Sequence, residues 1–277
     1  MNKEYKMVVF DMDGTLLNPK KKITPGVRKA MEDAVEAGKH VVVATGRAIN
    51  EVNEYRDIFP LLSLIVFAGG SVVFDPKKDE IIWSRQFEKE VADEIFEISH
   101  DWDSDKMYYI LSDGMGITEL EQVDNMAHYH LAPYQNTFKN HIIQVPEIKN
   151  YYYQEALNLE KINIFLPDAA KRPAFEQTLA HLPVAFASSE PTCMEITPEG
   201  ISKIDGLKVV ANHLGATFEE MITVGDASND LTMLRVAGCG VAMGNGTAEA
   251  KEAADYVTAD NEHDGCAEVI YKLLLNR

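Results

Sequence analysis

The chain is poor in cysteine and in basic charge, and it contains no long apolar run. Its cysteines, Cys193, Cys239 and Cys266, are odd in number and widely spaced. They form no disulfide framework and no zinc or redox pair, so they are expected as thiols in or near the core. Lys and Arg total 26 against 44 Asp and Glu, a formal charge of −18, which argues against nucleic acid or an anionic membrane as partner. The apolar stretches, such as 61–67 with Ser63 inside it, fall well short of the roughly 18 residues expected of a membrane span. No apolar signal region stands between the first residues and Asp11, so a cytoplasmic protein is expected. An anionic small molecule would also be repelled at long range. Screening over about 8 Å leaves local charge to decide, so such a ligand needs a metal ion and a few well-placed cations.

What is present is enough for a large core: 277 residues, 46% of them hydrophobic, a length that favours two domains. The most informative segment is Phe10-Asp11-Met12-Asp13-Gly14-Thr15. It follows the apolar run Met7-Val8-Val9-Phe10, expected as a buried strand, and so sets two carboxylates at a strand tip, where open α/β sheets carry their active sites. Acids at i and i+2, followed by a glycine that lets the chain turn, give one group to attack and a second to handle a proton. The spacing suits phosphoryl transfer through an aspartyl-phosphate, although alone it could also be a turn with two solvated aspartates.

The rest of the chain supplies a frame for that segment. Thr24-Pro25 and Gly38 bound a helix over 25–37. A β-rich run at 40–44 ends in Thr45-Gly46-Arg47, a second parallel strand by the βαβ rule. A short helix over about 48–57, a strand over 64–67, the turn Ala68-Gly69-Gly70 and a hairpin at 72–74 and 81–83 follow. Between about 83 and 192 the pattern changes to a helix at 88–99, two short strands around Asp113-Gly114, an ambiguous stretch, a strand at 162–166, a helix at 169–181 and a strand at 184–188. That mixture predicts an inserted α+β unit. The βα pattern then resumes with a helix over 203–214, strands at 221–224, 241–243 and 256–257, and a closing helix over 263–275. Three strands therefore end in polar signatures, the last being Gly225-Asp226-Ala227-Ser228-Asn229-Asp230. A fourth, Gly200-Ile201-Ser202-Lys203, opens a helix, whose N-terminal end suits an anion.

The set D-x-D-G-T, T-G-R, G-x-S-K and G-D-x-x-N-D resembles the haloacid dehalogenase superfamily of phosphatases. The size and place of the insert, with Val241-Ala242-Met243-Gly244-Asn245, resemble its Cof-like subgroup (type IIB, with a C2 cap). The resemblance spans essentially the whole chain. It implies an α/β fold with a doubly wound, Rossmann-like parallel sheet core and an inserted α+β cap. The core is expected at 1–82 and 193–277, and the cap, which sets substrate specificity, at 83–192.

By the same resemblance Asp11 is the nucleophile and Asp13 protonates the leaving oxygen, then activates water. Asp226 binds Mg²⁺ together with Asp11 and the Asp13 carbonyl, while Asn229 and Asp230 position that metal. Thr45, the Gly46 amide and Lys203 hold the phosphoryl oxygens, and Asn229 is counted with them. The expected substrate is a small phosphorylated metabolite such as a sugar phosphate. A phosphomutase of the same fold and a non-catalytic phosphometabolite sensor are the alternatives, and the oligomeric state stays open, a monomer included. Each residue also has a duller role open to it: Thr45 as a helix cap, Lys203 as a solvated helix-start lysine, Asn229 and Asp230 as first-turn polar groups. Arg47 stays outside the catalytic set. His128 and His130, two apart and without further ligands, are expected as surface or cap polar groups and not as a zinc site. One departure from the Cof-like pattern is Ala68, where that subgroup usually has asparagine.

Overall fold

The computed structural model describes residues 4–102, 105–188 and 191–277. The chain divides into two compact units, one made of Met1–Gly46, Tyr55–Trp83 and Ser202–Arg277, the other of Arg47–Glu54 and Ser84–Ile201.

The first unit is built on an eight-stranded sheet. In spatial order its strands are Tyr256–Val257, Cys239–Ala242, Met221–Gly225, Met7–Phe10, His40–Ala44, Leu64–Phe67, Val72–Asp75 and Glu80–Ser84. The first six are parallel and Val72–Asp75 runs antiparallel to its neighbour. The chain leaves Met7–Phe10 toward one edge and later returns to build toward the other, so the strand order reverses at Met7–Phe10. All four residues of that strand are buried, which is why it reads as an unbroken apolar run. In the register Phe10 lies beside Val43 on one side and Val224 on the other. The residues after these positions, Asp11, Ala44-Thr45 and Gly225-Asp226, therefore emerge along one edge.

Local chemistry fixes the helices that flank this sheet. The Thr24 hydroxyl accepts from the Val27 amide and Pro25 opens the helix Pro25–Glu36. The Asp205 carboxylate accepts from both the amide and the hydroxyl of Ser202 at the start of Lys203–Leu214, and Gly215, with φ of 63°, ends it. Val9, Val42, Val66, Leu207 and Met221 meet in the core between helix and sheet. The helix expected over 48–57 is instead a 3₁₀ segment, Asn50–Leu61. The closing helix is α-helical over Gly265–Val269 and continues as a π-turn over Ile270–Leu274.

The second unit carries a six-stranded sheet in the order Val184–Ala187, Cys193–Pro198, Leu159–Phe165, Met107–Ser112, Met115–Glu119 and Ile143–Val145. One face holds Ile110, Ile162, Ile164, Met194 and Ile196 against Phe96 and Phe175 of the helices Lys89–Trp102 and Arg172–Leu179. The other face presents Glu195, Asn163 and Tyr109 in one cross-strand row, all buried. Lys161 donates to Glu195 in a buried ion pair on that same face.

Two boundaries differ from the expected 83–192. Cys193–Pro198 is hydrogen-bonded between two strands of the second sheet, so the second crossing falls between Ile201 and Ser202. Arg47–Glu54 also belongs to the second unit: the Asn50 amide donates to the carbonyls of Gly116 and His141 and accepts from the Gly116 amide, and the Ile49 amide donates to the Gly114 carbonyl. All three cysteines are buried. Among the described residues no helix is long and apolar enough to cross a membrane.

Candidate active site

The loop after Met7–Phe10 turns within a few residues. The Asp11 amide still extends the ladder to the Val224 carbonyl at 3.0 Å, while the amides of Leu16 and Leu17 fold back onto the carbonyls of Asp11 and Met12. Gly14 makes the turn with φ of +84°, and a Cβ there would collide with the Asp226 carboxylate. A backbone that must pass this close admits only glycine. Thr15, next in the chain, donates its hydroxyl to Asp226 Oδ1 at 2.7 Å.

Lys203 enters the same point from the start of its helix. Its Nζ donates to Asp11 Oδ1 at 2.5 Å and to Asp230 Oδ1 at 2.6 Å, and all three groups are buried. Asp230 is held in turn through its other oxygen, which accepts from the backbone amides of Asp226 and Ala227 at 2.9 and 3.1 Å. The lysine therefore bridges the nucleophile candidate and a fixed carboxylate, and is not a solvated helix-start residue.

Asp11, Asp226 and Asp230 each offer an oxygen within 4.8 Å of the others. Three hard oxygen donors in this arrangement suit Mg²⁺ and not a thiophilic metal. Burial pushes the Asp11 carboxyl well above the usual carboxylate range; the Lys203 ammonium opposes this and the Asp230 and Asp226 carboxylates reinforce it. Burial also pushes Asp226 up to about 6, against the Thr15 hydrogen bond and with help from Asp230. Lys203 shows the complement, since Asp11 and Asp230 outweigh its own burial and hold it above the ordinary lysine value. Asn229, one residue before Asp230, has a buried side-chain oxygen with no hydrogen-bond donor. An orphaned acceptor fits a cation, while a contact to a phosphoryl oxygen would have to come from its Nδ2. The donor set therefore fits the divalent ion that the motifs imply.

The structure thus brings together Asp11, Asp226, Asp230 and Lys203 of the expected set, and adds Thr15. Asp13 is outside the carboxylate cluster: its side chain pairs with Lys21 Nζ at 2.6 Å, so the metal role expected of it would fall to its backbone carbonyl. Thr45 and Gly46 stand at the tip of the neighbouring strand. The Thr45 amide donates to the Val66 carbonyl and its carbonyl accepts from the Gly69 amide, and the pairing of Phe10 with Val43 sets this tip beside that of Asp11. His128 Nε2 lies 2.9 Å from Asp105, and His130 Nε2 lies 3.2 Å from the Pro167 carbonyl, consistent with polar cap groups.

The segment Ala68-Gly69-Gly70 packs against the start of the lysine helix, where a Cβ on Gly70 would collide with the Ser202 carbonyl. Ala68 itself has φ of 54°. Asparagine tolerates that left-handed region and alanine resists it, at a cost of roughly 1–2 kcal/mol.

A family profile described as haloacid dehalogenase-like hydrolase matches residues 8–270, and the chain belongs to that family. It is 28% identical over 268 residues to the 5-amino-6-(5-phospho-D-ribitylamino)uracil phosphatase YcsE of Bacillus subtilis, covering 96% of this chain and 95% of that protein. A solved haloacid dehalogenase-like hydrolase from B. subtilis superposes with a TM-score of 0.83 at 26% identity, covering 96% of this chain and 98% of the other. The subclass IIB sugar phosphatase BT4131 has the same fold, with a TM-score of 0.80 at 24% identity over 96% and 97% of the two chains. The enzyme class expected from the motifs, a phosphatase of the haloacid dehalogenase type, agrees with this membership.

Proposed function

We propose that the protein is a Mg²⁺-dependent phosphatase that hydrolyses small phosphorylated metabolites, sugar phosphates among them, through an aspartyl-phosphate on Asp11. The observation that carries this is Lys203 held between Asp11 and Asp230, at 2.5 and 2.6 Å, within a cluster of three carboxylates. Asp11, Asp226 and Asp230 would hold the ion, which when bound offsets carboxylate charge and polarises the phosphoryl group.

In the first half-reaction an Asp11 oxygen forms a bond to phosphorus as the ester oxygen leaves, and Asp13 gives that oxygen a proton. In the second, Asp13 takes a proton from water as the water oxygen attacks phosphorus. The bond to Asp11 breaks, and inorganic phosphate leaves. Lys203 keeps the attacking oxygen oriented and places positive charge beside the phosphoryl oxygens during transfer. Thr45 and the Gly46 amide serve the same oxygens from the next strand tip. The names of the relatives support a hydroxylated organic leaving group, since one acts on a ribityl phosphate and another is called a sugar phosphatase.

The test is release of inorganic phosphate from p-nitrophenyl phosphate and from a panel of sugar phosphates, with Mg²⁺ and with excess chelator. Activity is expected with Mg²⁺ alone, without a bisphosphate activator, and should vanish in Asp11→Asn with the fold retained. Full activity in chelator, or near wild-type turnover by Asp11→Asn, would refute the covalent metal-dependent mechanism. Turnover only with a bisphosphate would favour a mutase, and phosphometabolite binding without turnover a sensor.

A further inference from the structure

Two amide side chains from late in the chain reach the loop that carries Asp11 and Asp13. Asn245 Nδ2 donates to the Gly14 carbonyl at 2.8 Å, and Asn245 Oδ1 accepts from the Asn261 amide at 3.1 Å. Asn261 Nδ2 then donates to the Leu17 carbonyl at 2.8 Å. Two residues beyond Asn245, the Thr247 amide donates to the Asp226 carbonyl at 2.8 Å. The 245–247 segment therefore bonds the nucleophile loop with one residue and the metal-loop aspartate with another.

Gly14 explains why such a tie is needed. Its φ of +84° and its close approach to Asp226 require glycine, but the missing side chain also loosens the peptide planes on both sides, the following one being bonded on its other edge by a 3.3 Å contact from the Thr15 amide to the Met12 carbonyl. The plane before it carries the Asp13 carbonyl. The plane after it carries the Gly14 carbonyl and leads into Thr15, whose hydroxyl bonds Asp226. A donor fixed on the Gly14 carbonyl removes that freedom.

We propose that Asn245 is a positioning residue for the metal centre: by holding the Gly14 peptide it keeps the Asp13 carbonyl and Thr15 in the orientation that the Asp226 side of the site requires. The inference rests on the metal-dependent phosphatase function proposed above. Both polar ends of the amide are used, one as donor and one as acceptor. Aspartate would match the shape but set an oxygen against the Gly14 carbonyl. The side chain is also exposed, so its loss should cost little folding stability. That separates a positioning role from a structural one.

The test uses Asn245→Asp and Asn245→Ala in the full chain, with Glu249→Ala, on the following helix, as control. Thermal unfolding, Mn²⁺ affinity by calorimetry without substrate, and kcat and KM for p-nitrophenyl phosphate are measured. Both Asn245 variants should unfold within about 3 °C of wild type. They should bind Mn²⁺ on the order of 10–100-fold more weakly and lose kcat by a similar factor, with a smaller change in KM. The control should match wild type. Wild-type Mn²⁺ affinity and kcat in both Asn245 variants would overturn the proposal. So would losses that come with a fall in unfolding temperature of more than roughly 10 °C in both, since they would assign the residue to folding. A wild-type protein that binds no Mn²⁺ is a distinct result, and one that defeats the metal-dependent function itself.

Discussion

Replacing Asp226 with asparagine should make the metal-free protein more stable while destroying its response to Mg²⁺. Asp226 is pushed from 3.8 to about 6, first by burial and then by Asp230, with the Thr15 hydrogen bond opposing. A folded-state pKa above the unfolded one means that the native state binds the proton more tightly, so the ionised carboxylate opposes folding. The penalty is fully present above about pH 6. It disappears as the pH falls through that value toward the unfolded pKa near 4. About two pH units correspond to about 3 kcal/mol at pH 8.

Asparagine keeps the shape and an oxygen to accept from Thr15, and it carries no charge. At 2–4 °C per kcal/mol for a unit of this size, the metal-free variant should melt roughly 6–12 °C above metal-free wild type at pH 8, and the gap should fall to about half of that by pH 5 and close only below about pH 4. With Mg²⁺ the order should reverse. Wild type gains about 4.1 kcal/mol at a thousandfold excess over its dissociation constant, more than the roughly 3 kcal/mol that separates the metal-free proteins, whereas the variant has lost a ligand. Calorimetry of both proteins in chelator and in Mg²⁺ at pH 8 and pH 5 measures these differences. A metal-free variant no more stable than wild type at pH 8 would show that the carboxylates are not crowded at the expense of stability, and the electrostatic account of the site would fail.

Two further outcomes are expected. Asp13→Ala should slow hydrolysis of an alkyl phosphate at least tenfold more than that of p-nitrophenyl phosphate, whose leaving group needs little protonation; equal losses would assign Asp13 to the second step or to the metal. Lys161→Met should destabilise the second unit by roughly 3–5 kcal/mol, because it strands the buried Glu195 carboxylate, and the double replacement Lys161→Met with Glu195→Leu should recover most of that loss in a chemical unfolding series; no recovery would show that Glu195 is stabilised by other groups.

The parts of the site carried by strand tips were legible in the sequence because a buried parallel strand announces itself as an apolar run, and its first polar residues must emerge at one edge. Asp11, Asp226 and the helix-start Lys203 were found in this way, and the structure joins them. Asp230 was visible as a metal-positioning residue, but its second role, anchoring Lys203, depends on a side-chain approach over 27 positions that no local pattern encodes. Lys21, inside Lys20-Lys21-Lys22, reaches Asp13 from a backbone at φ of 54°, with its carbonyl bonded to the Tyr55 hydroxyl, and no local pattern singles it out from its two neighbours. The unit boundaries failed for a related reason. Arg47–Glu54 is too short and irregular to show periodicity, and its membership rests on Asn50 bonding the Gly116 backbone. In Leu159–Phe165 the alternation places Lys161 and Asn163 on the face usually left to solvent, yet both are buried. Periodicity reports which residues share a face and not what covers it.

The low basic content of the chain bears on how the site can hold a phosphate at all. At the strand tips three carboxylates stand against the single ammonium of Lys203, so this cluster with every carboxylate ionised carries two negative charges in a buried setting. A phosphate dianion brought there meets repulsion that water and salt screen poorly. One divalent cation held by Asp11, Asp226 and Asp230 would bring the cluster to neutrality and set a positive charge beside the phosphoryl oxygens. The Lys203 ammonium and the backbone amides then act on the anion without opposition. An enzyme with a charge of −18 can therefore select an anionic substrate only by inverting its field locally. On this electrostatic ordering the proposed metal would have to be in place before the phosphate.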